Sequence, residues 1–311
     1  MDAPDREPDR TAFLVADVRT GDREAAGRLR AAERSLAEHG VAAEVWRSSG
    51  PDEVFGMVRA GLGAGYRWVV CVGDDAAIRS AIDGLMEEGK PVEPGVVLGV
   101  MAAHGWCDFV RTFGIRDDPA FAAERLATGP TQPLDVAKVR YVDRSGGERT
   151  SHFAGVAEVG LGGAVVRRAA RLPQGLGRTG DFVGFWATLA TYRPPELRVI
   201  GERREYRGRA HTVIVGNCQW IRRGLRLSPR SFPGDGFLDL LVMTGPRSDA
   251  FTMLPRMFQG EQVPDPSIQE YRARHIVVQA DRPVPFHADG VPLGTTPLEI
   301  DLTPHALDLR V

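Results

Sequence analysis

The sequence predicts an α/β protein in two parts: an N-terminal Rossmann-like domain built on a parallel sheet, followed by a mainly antiparallel β domain. Three observations predict it. Up to about residue 102, short apolar runs alternate with segments of helical period, the pattern of strands covered on both faces. After about residue 125, alternating strands and hairpin-type turns take over. The 311 residues also suffice for about two domains at roughly 150 residues each.

Residues 11–16 (TAFLVA) read as the first strand. Residues 22–39 read as a helix, because Leu29, Ala32 and Leu36 recur at helical spacing and Gly40 supplies a C-terminal stop. Residues 42–46 and 52–62 repeat the strand-helix unit. The third unit is residues 68–72 (WVVCV) with a helix over about 76–88, and residues 95–101 (GVVLGVM) open a fourth. Ligands of such sheets bind at the carboxyl ends of the strands, which directs attention to the turns after Val72 and Met101. Further along, residues 134–142 alternate ahead of a turn at Ser145, Gly146 and Gly147, and residues 197–200, 212–215, 238–243 and 275–279 read as strands. Residues 181–192 read as a helix whose stripe of Phe182, Phe185, Leu189 and Tyr192 belongs to a core. The expected division is a disordered tail over 1–10, domains over 11–125 and 126–295, and a C-terminal segment over 296–311 returning to the first domain.

Composition narrows the function. Hydrophobic residues at 43% and charged residues at 26% describe a folding globular chain, so disordered and fibrous classes are excluded. The 39 Lys and Arg against 41 Asp and Glu, net −2, lack the footprint of a general nucleic-acid binder. Cys71, Cys107 and Cys218 lie far apart, without the even count of a disulfide framework or zinc-site spacing, which fits a reducing cytoplasm. The polar N-terminus is no signal peptide, and no run reaches the ~20 apolar residues of a membrane span, so membrane contact is expected to be peripheral at most.

Three stretches carry chemistry together. Residues 69–85 (VVCVGDDAAIRSAIDGL) place a strand, a short loop and a helix in line. Residues 98–115 (LGVMAAHGWCDFVRTFGI) and 216–243 (GNCQWIRRGLRLSPRSFPGDGFLDLLVM) follow in order. These stretches resemble the diacylglycerol kinase catalytic-domain family, which includes bacterial lipid kinases and sphingosine kinases and is distantly related to NAD kinases. Weaker similarity extends through residues 155–166, 176–194 and 287–300, so it spans nearly the whole chain. The resemblance implies the NAD kinase/diacylglycerol kinase-like fold, with a C-terminal β-sandwich, and the use of ATP and Mg2+.

The resemblance also assigns residues. The family's GGDGT loop corresponds to Gly73, Asp74, Asp75, Ala76 and Ala77, where the first glycine and the aspartate match; glycines serve there because backbone N–H groups must approach phosphates closely. The GTGND segment corresponds to His104, Gly105, Trp106, Cys107 and Asp108. Of an N-terminal NPxxG, aligned on residues 17–21, Gly21 is retained. Asp235, Gly236, Leu238 and Asp239 match a DGxLD segment whose carboxylates help hold a structural magnesium in bacterial members. Asp289 and Gly290 match the DG of the motif that supplies the base, with Val291 in place of its glutamate. The implied catalytic residues are Asp289 and Asp75. The implied nucleotide contacts are Gly21, Gly73, Asp75, Gly105 and Asp108, and the implied magnesium carboxylates are Asp75, Asp108, Asp235 and Asp239. Arg222 and Arg223, where the family has two glycines, are candidates for holding phosphate bidentately in compensation for the altered loop.

Each residue also has a plainer reading. An aspartate after a strand caps the following helix, Asp-Gly turns occur without metal, and paired arginines face solvent. The expected function is an ATP- and Mg2+-dependent kinase acting on a hydroxyl of a lipid or lipid-like alcohol. The alternatives are a catalytically inactive lipid- or small-molecule-binding descendant and a kinase of a soluble alcohol. Expected partners are a nucleotide and the alcohol, with homodimerisation left open.

Overall fold

A computed structural model describes residues 11–18, 22–105, 107–169, 171, 177–222, 224–246, 248–259 and 265–311. The expected tail over 1–10, together with Gly21, Trp106 and Arg223, lies outside the described residues. The chain divides into two compact units: one runs to Val136 and includes Thr303–Val311, the other is Ala137–Leu302.

The first unit contains β1 (Thr11–Asp17), α1 (Arg23–Glu38), β2 (Ala42–Ser48), α2 (Pro51–Gly63), β3 (Trp68–Gly73) and α3 (Asp75–Leu85). A hairpin of β4 (Met86–Glu87) and β5 (Lys90–Pro91) leads to β6 (Val97–Ala102), α4 (Asp108–Thr112) and α5 (Pro119–Thr128). The sheet order is β2-β1-β3-β6, all parallel, and the C-terminal residues Asp308–Arg310 pair parallel with Val97–Gly99 as a fifth strand. Successive side chains of β1 explain why every residue in it is buried: Ala12, Leu14 and Ala16 pack with Leu29 and Leu36 of α1 and Leu126 of α5, whereas Phe13 meets Gly61 of α2. The third helix is shorter than expected. It stops at Leu85 rather than Glu88, because the chain reverses through Glu88 (φ 48°) and Gly89 (φ 80°), which together close the β4–β5 hairpin.

The second unit is antiparallel. It takes β7 (Thr131–Val142), which begins in the first unit, then β8 (Glu148–Phe153), β9 (Val156–Gly160), α6 (Leu161–Ala169), α7 (Gly177–Thr191), β10 (Glu196–Gly201), β11 (Glu205–Arg209) and β12 (Thr212–Gly216). There follow β13 (Trp220–Ile221), β14 (Leu225–Arg226), β15 (Leu238–Met243), α8 (Asp249–Phe258), β16 (Ile268–Ala273), β17 (His275–Ala280), β18 (Pro285–Ala288) and β19 (Val291–Arg310). One ladder runs β16-β15-β12-β9-β18 and a second runs β11-β10-β17, with β19 pairing both β18 and β17. Val213, Val215, Leu238 and Leu240 of the first ladder share one core with Leu197, Val199, Ile276 and Val278 of the second, the arrangement of a β-sandwich. Strands β9 and β12 are buried at every position. Their alternate residues face a second apolar layer, in which Leu161 and Val165 of α6 pack on Leu189 of α7.

Candidate active site

The carboxyl ends of β3 and β6 carry two loops that hydrogen bonds tie together. Asp74, exposed, is the N-cap of α3 and accepts from Ala77 N at 3.0 Å. Asp75 serves the neighbouring loop instead. Its Oδ1 accepts from Phe109 N (2.8 Å) and the Cys107 thiol (3.2 Å), and its Oδ2 from Asp108 N (3.2 Å), so it fills the N-terminal cap of α4 that Cys107 cannot supply. Burial pushes the Asp75 carboxyl upward against the pull of those N–H groups, and the adjacent Asp74 charge pushes the same way as burial. Cys107 is a donor with its thiol pushed well up, by burial first and by Asp75 next.

Gly73 needs to be glycine for packing, because a Cβ would collide with Ala77 Cβ. A Cβ on Gly105 would collide with the Asp117 carboxylate, which pairs with the buried Arg28 of α1. His104 Nε2 lies 2.7 Å from Oδ2 of Asp22, the N-cap of α1. Asp108 is 5% exposed at the start of α4. The structure therefore brings Gly73, Asp75, Gly105 and Asp108 to one edge of the parallel sheet.

In the second unit Asp289 sits in the turn between β18 and β19 at φ 49°. Its Oδ1 accepts from Val156 N at 2.7 Å and its Oδ2 from Gly155 N at 3.3 Å, while its own N–H donates to Val156 O at 3.0 Å. A Cβ on Gly155 would occupy the carboxylate's place, so that glycine makes the docking possible. These bonds fix the carboxylate at the head of β9.

Sequence reasoning did not single out the buried group beside that turn. Glu158 and His287, 4% and 0% exposed, lie directly opposite each other on β9 and β18. Glu158 Oε2 accepts from Arg222 Nη2 at 2.8 Å and lies 2.8 Å from His287 Nε2; His287 Nδ1 accepts from Gly290 N at 3.3 Å. That last bond assigns the proton to Nε2, which donates to Glu158. Burial would raise the Glu158 carboxyl, but the Arg222 guanidinium and the His287 bond hold it down at about 2. The clue in the sequence was a glutamate inside the apolar strand VAEVG, which requires a cation in the fold. Arg222 pays for its left-handed backbone, φ 54°, through this pair.

Asp235 and Asp239 both engage Arg272. The guanidinium bonds Asp235 Oδ2, and its Nε lies 3.4 Å from Asp239 Oδ1. Asp239 Oδ2 is buried and lacks a hydrogen-bond partner among the described residues, and burial pushes this carboxyl up. Elsewhere on the sandwich, His275, Glu299 and Asp301 bring ligand-type atoms within 4.8 Å of one another, with Arg140 already 2.7 Å from Glu299.

An apolar cavity opens beside the Glu158 group. Phe185 and Leu189 of α7, Ile214 of β12, Leu225 of β14 and Met253 and Met257 of α8 line it. Glu158 and Arg222 supply its polar end. Among the described residues, no helix is long and apolar enough to cross a membrane.

Comparison with known proteins agrees with this architecture. Residues 11–139 match the diacylglycerol kinase catalytic domain, and residues 155–311 match the YegS C-terminal NAD kinase beta sandwich-like domain. Curated relatives include a protein of Klebsiella pneumoniae (strain 342) named "Probable lipid kinase YegS-like", 24% identical over 91% of each chain. Another of the same name, from Cronobacter sakazakii (strain ATCC BAA-894), is 24% identical over 96% of this chain and 95% of that one. A crystal structure of a diacylglycerol kinase from Bacillus anthracis str. Sterne superposes with a TM-score of 0.71 at 18% identity, over 97% of this chain and 96% of that one, and so shares the fold. With a parallel α/β unit and an antiparallel sandwich in this order, and matches running from residue 11 to the C-terminus, the chain belongs to the diacylglycerol kinase catalytic-domain family.

Proposed function

We propose that the chain is a lipid kinase that transfers a phosphoryl group from ATP, supplied with Mg2+, to a hydroxyl of a lipid or lipid-like alcohol. The observation that carries the acceptor class is the cavity of the second unit. Its walls are mainly leucine, isoleucine, methionine and phenylalanine, with Glu158, Arg222, His211 and Asp249 among its polar groups, which suits an alkyl chain with a polar head. The relatives named as probable lipid kinases support the same class.

The nucleotide is assigned to the sheet edge formed by the loops at Gly73 and Gly105, as the fold class favours. Asp289 is assigned as the group that takes the acceptor proton, on the strength of the resemblance and of its fixed carboxylate. Magnesium, when bound with the nucleotide, would supply neutralisation of phosphate charge. The pair Asp235 and Asp239 does not suit a resident magnesium as it stands, because Arg272 already answers both carboxylates. Arg222 is assigned to Glu158 rather than to phosphate, since its guanidinium bonds that carboxylate.

One observation favours a second reading, a binding protein without turnover: the N-terminus of α3, where a phosphate would seek backbone N–H groups, already holds the Asp74 carboxylate. Purified protein incubated with labelled ATP, Mg2+ and a short-chain diacylglycerol separates the two. Labelled lipid supports the kinase. Lipid binding with no transfer, and no effect of ATP on melting temperature, supports the binding protein.

A further inference from the structure

The turn that carries Asp289 gets little support from the strand that follows it. Ala288 pairs with Val291, so Asp289 and Gly290 form a two-residue loop in which both backbones are left-handed, at φ 49° and 78°. The β18–β19 ladder shifts register between Phe286 and His287, and His287 lies opposite Pro292, which has no N–H to give. A hairpin end with so little ladder needs another restraint. On one side Asp289 supplies it, through its bonds to the backbone of Gly155 and Val156. On the other side the Gly290 N–H is taken by a side chain, His287 Nδ1, at 3.3 Å.

That imidazole is aimed from behind. Its Nε2 lies 2.8 Å from Glu158 Oε2, directly across the β9–β18 ladder, and Arg222 Nη2 reaches the same oxygen at 2.8 Å. An anionic acceptor at Nε2 draws the imidazole proton there and leaves Nδ1 as an acceptor turned to Gly290. Helix α6 seals the pair at Gly162, where a Cβ would collide with the Glu158 side chain. Core stability alone does not account for this group, because apolar residues of similar volume in place of a buried ion pair are often as stable. Apolar residues could neither select a tautomer nor hold a backbone N–H at the turn.

We infer that His287 is a positioning residue: oriented by Glu158, it holds Gly290 so that the adjacent Asp289 carboxylate keeps one place. His287 has no exposed surface, so it touches no substrate and acts through the turn. The restraint on the turn stands on these contacts alone, whereas its effect on rate rests on Asp289 being the group that takes the acceptor proton.

Two variants divide the two bonds of the ring. His287→Gln keeps a donor near the Nε2 position for Glu158 but has no acceptor at the Nδ1 position, whereas His287→Asn puts an amide oxygen near Nδ1 and gives up the Glu158 bond. Amide hydrogen exchange of the full chain, followed by NMR, reads the turn directly. The wild-type Gly290 N–H should exchange roughly tenfold or more slowly than an unbonded turn amide, and His287→Gln should lose that protection while His287→Asn keeps most of it. With ATP, Mg2+ and a short-chain diacylglycerol, His287→Gln should lower kcat roughly a hundredfold with both KM values within about twofold, and His287→Asn should recover roughly tenfold of that loss. Each variant breaks one bond of the buried group, so the two melting temperatures should fall alike, and a role confined to stability would move exchange and kcat in step with them. Fast exchange of Gly290 in the wild type would overturn the inference without any variant. Equal exchange in the two variants would do the same, as would an unchanged kcat in His287→Gln despite a loosened turn. A wild type without phosphoryl transfer would remove the kinase reading and the effect on rate with it, and exchange would still decide whether His287 holds the turn.

Discussion

Replacing Asp74 with asparagine separates two effects that one carboxylate combines. Asp74 caps α3 through Ala77 N, and its charge lies at the loop assigned to phosphate. Asparagine caps a helix about as well as aspartate, so stability should stay within roughly 0.5 kcal/mol of wild type. The charge goes, however. A pair of unit charges 4 Å apart repels by about 1 kcal/mol in water and about 4 kcal/mol at an effective dielectric of 20. Because Asp74 is exposed, the lower figure applies, and the expected gain in ATP affinity is roughly fivefold. Isothermal titration with Mg·ATP at low and high salt measures it, and the gain should shrink as salt screens the pair. Asp74→Ala, which also loses the cap, should bind ATP as tightly as Asp74→Asn but unfold about 0.5–2 kcal/mol more easily. Unchanged affinity in Asp74→Asn at every salt concentration would show that no phosphate comes near this loop, and the assignment of the nucleotide site would fall.

Asp289→Asn should abolish phosphoryl transfer in a steady-state assay while ATP affinity, read by titration, remains within about twofold; retained turnover would assign the base elsewhere. Arg222→Met keeps the backbone position but leaves Glu158 buried without its cation, so denaturant unfolding should register a loss of about 3–5 kcal/mol with no separate change in ATP binding. Glu158 is held below its ordinary value of 4.5, so its contribution is full above that pH and is lost as pH falls from 4.5 toward about 2. Melting curves across that window should show acid destabilisation that is smaller in Glu158→Gln. Adding EDTA should leave the wild-type melting temperature unchanged, whereas Arg272→Ala should make it rise with added Mg2+, since the two carboxylates would then lack a cation.

The parallel sheet was legible because β1, β3 and β6 are short apolar runs separated by segments of helical period. The helical spacing of Leu29, Ala32 and Leu36, the stop at Gly40 and the apolar β3 and β6 need no distant partner to be recognised. The end of α3 was misread because Met86 and Glu87 extend the helical pattern, while the hairpin that claims them depends on pairing with Lys90 and Pro91. Local pattern could not report that competition.

The site was legible as motifs but not as contacts. The match at Gly-Asp-Asp located the loop, yet which aspartate caps which helix depends on α4 starting beside it, so Asp74 serves its own helix and Asp75 serves the next. Arg222 and Glu158 are 64 residues apart in sequence and meet through the order of strands β9, β12 and β18. The same holds for Arg272, which follows Asp235 by 37 residues and reaches it only because β15 and β16 are neighbours. In both cases an arginine stands where the resemblance would put glycine flexibility or a metal ion. A guanidinium offers one fixed fork of donors and cannot be removed by a chelator, so it trades exchangeable charge for permanent geometry. At Arg272 the chain supplies in permanent form a positive charge facing Asp235 and Asp239, at Arg222 it supplies one to the buried Glu158, and at Asp74 it adds a negative charge to the loop after β3.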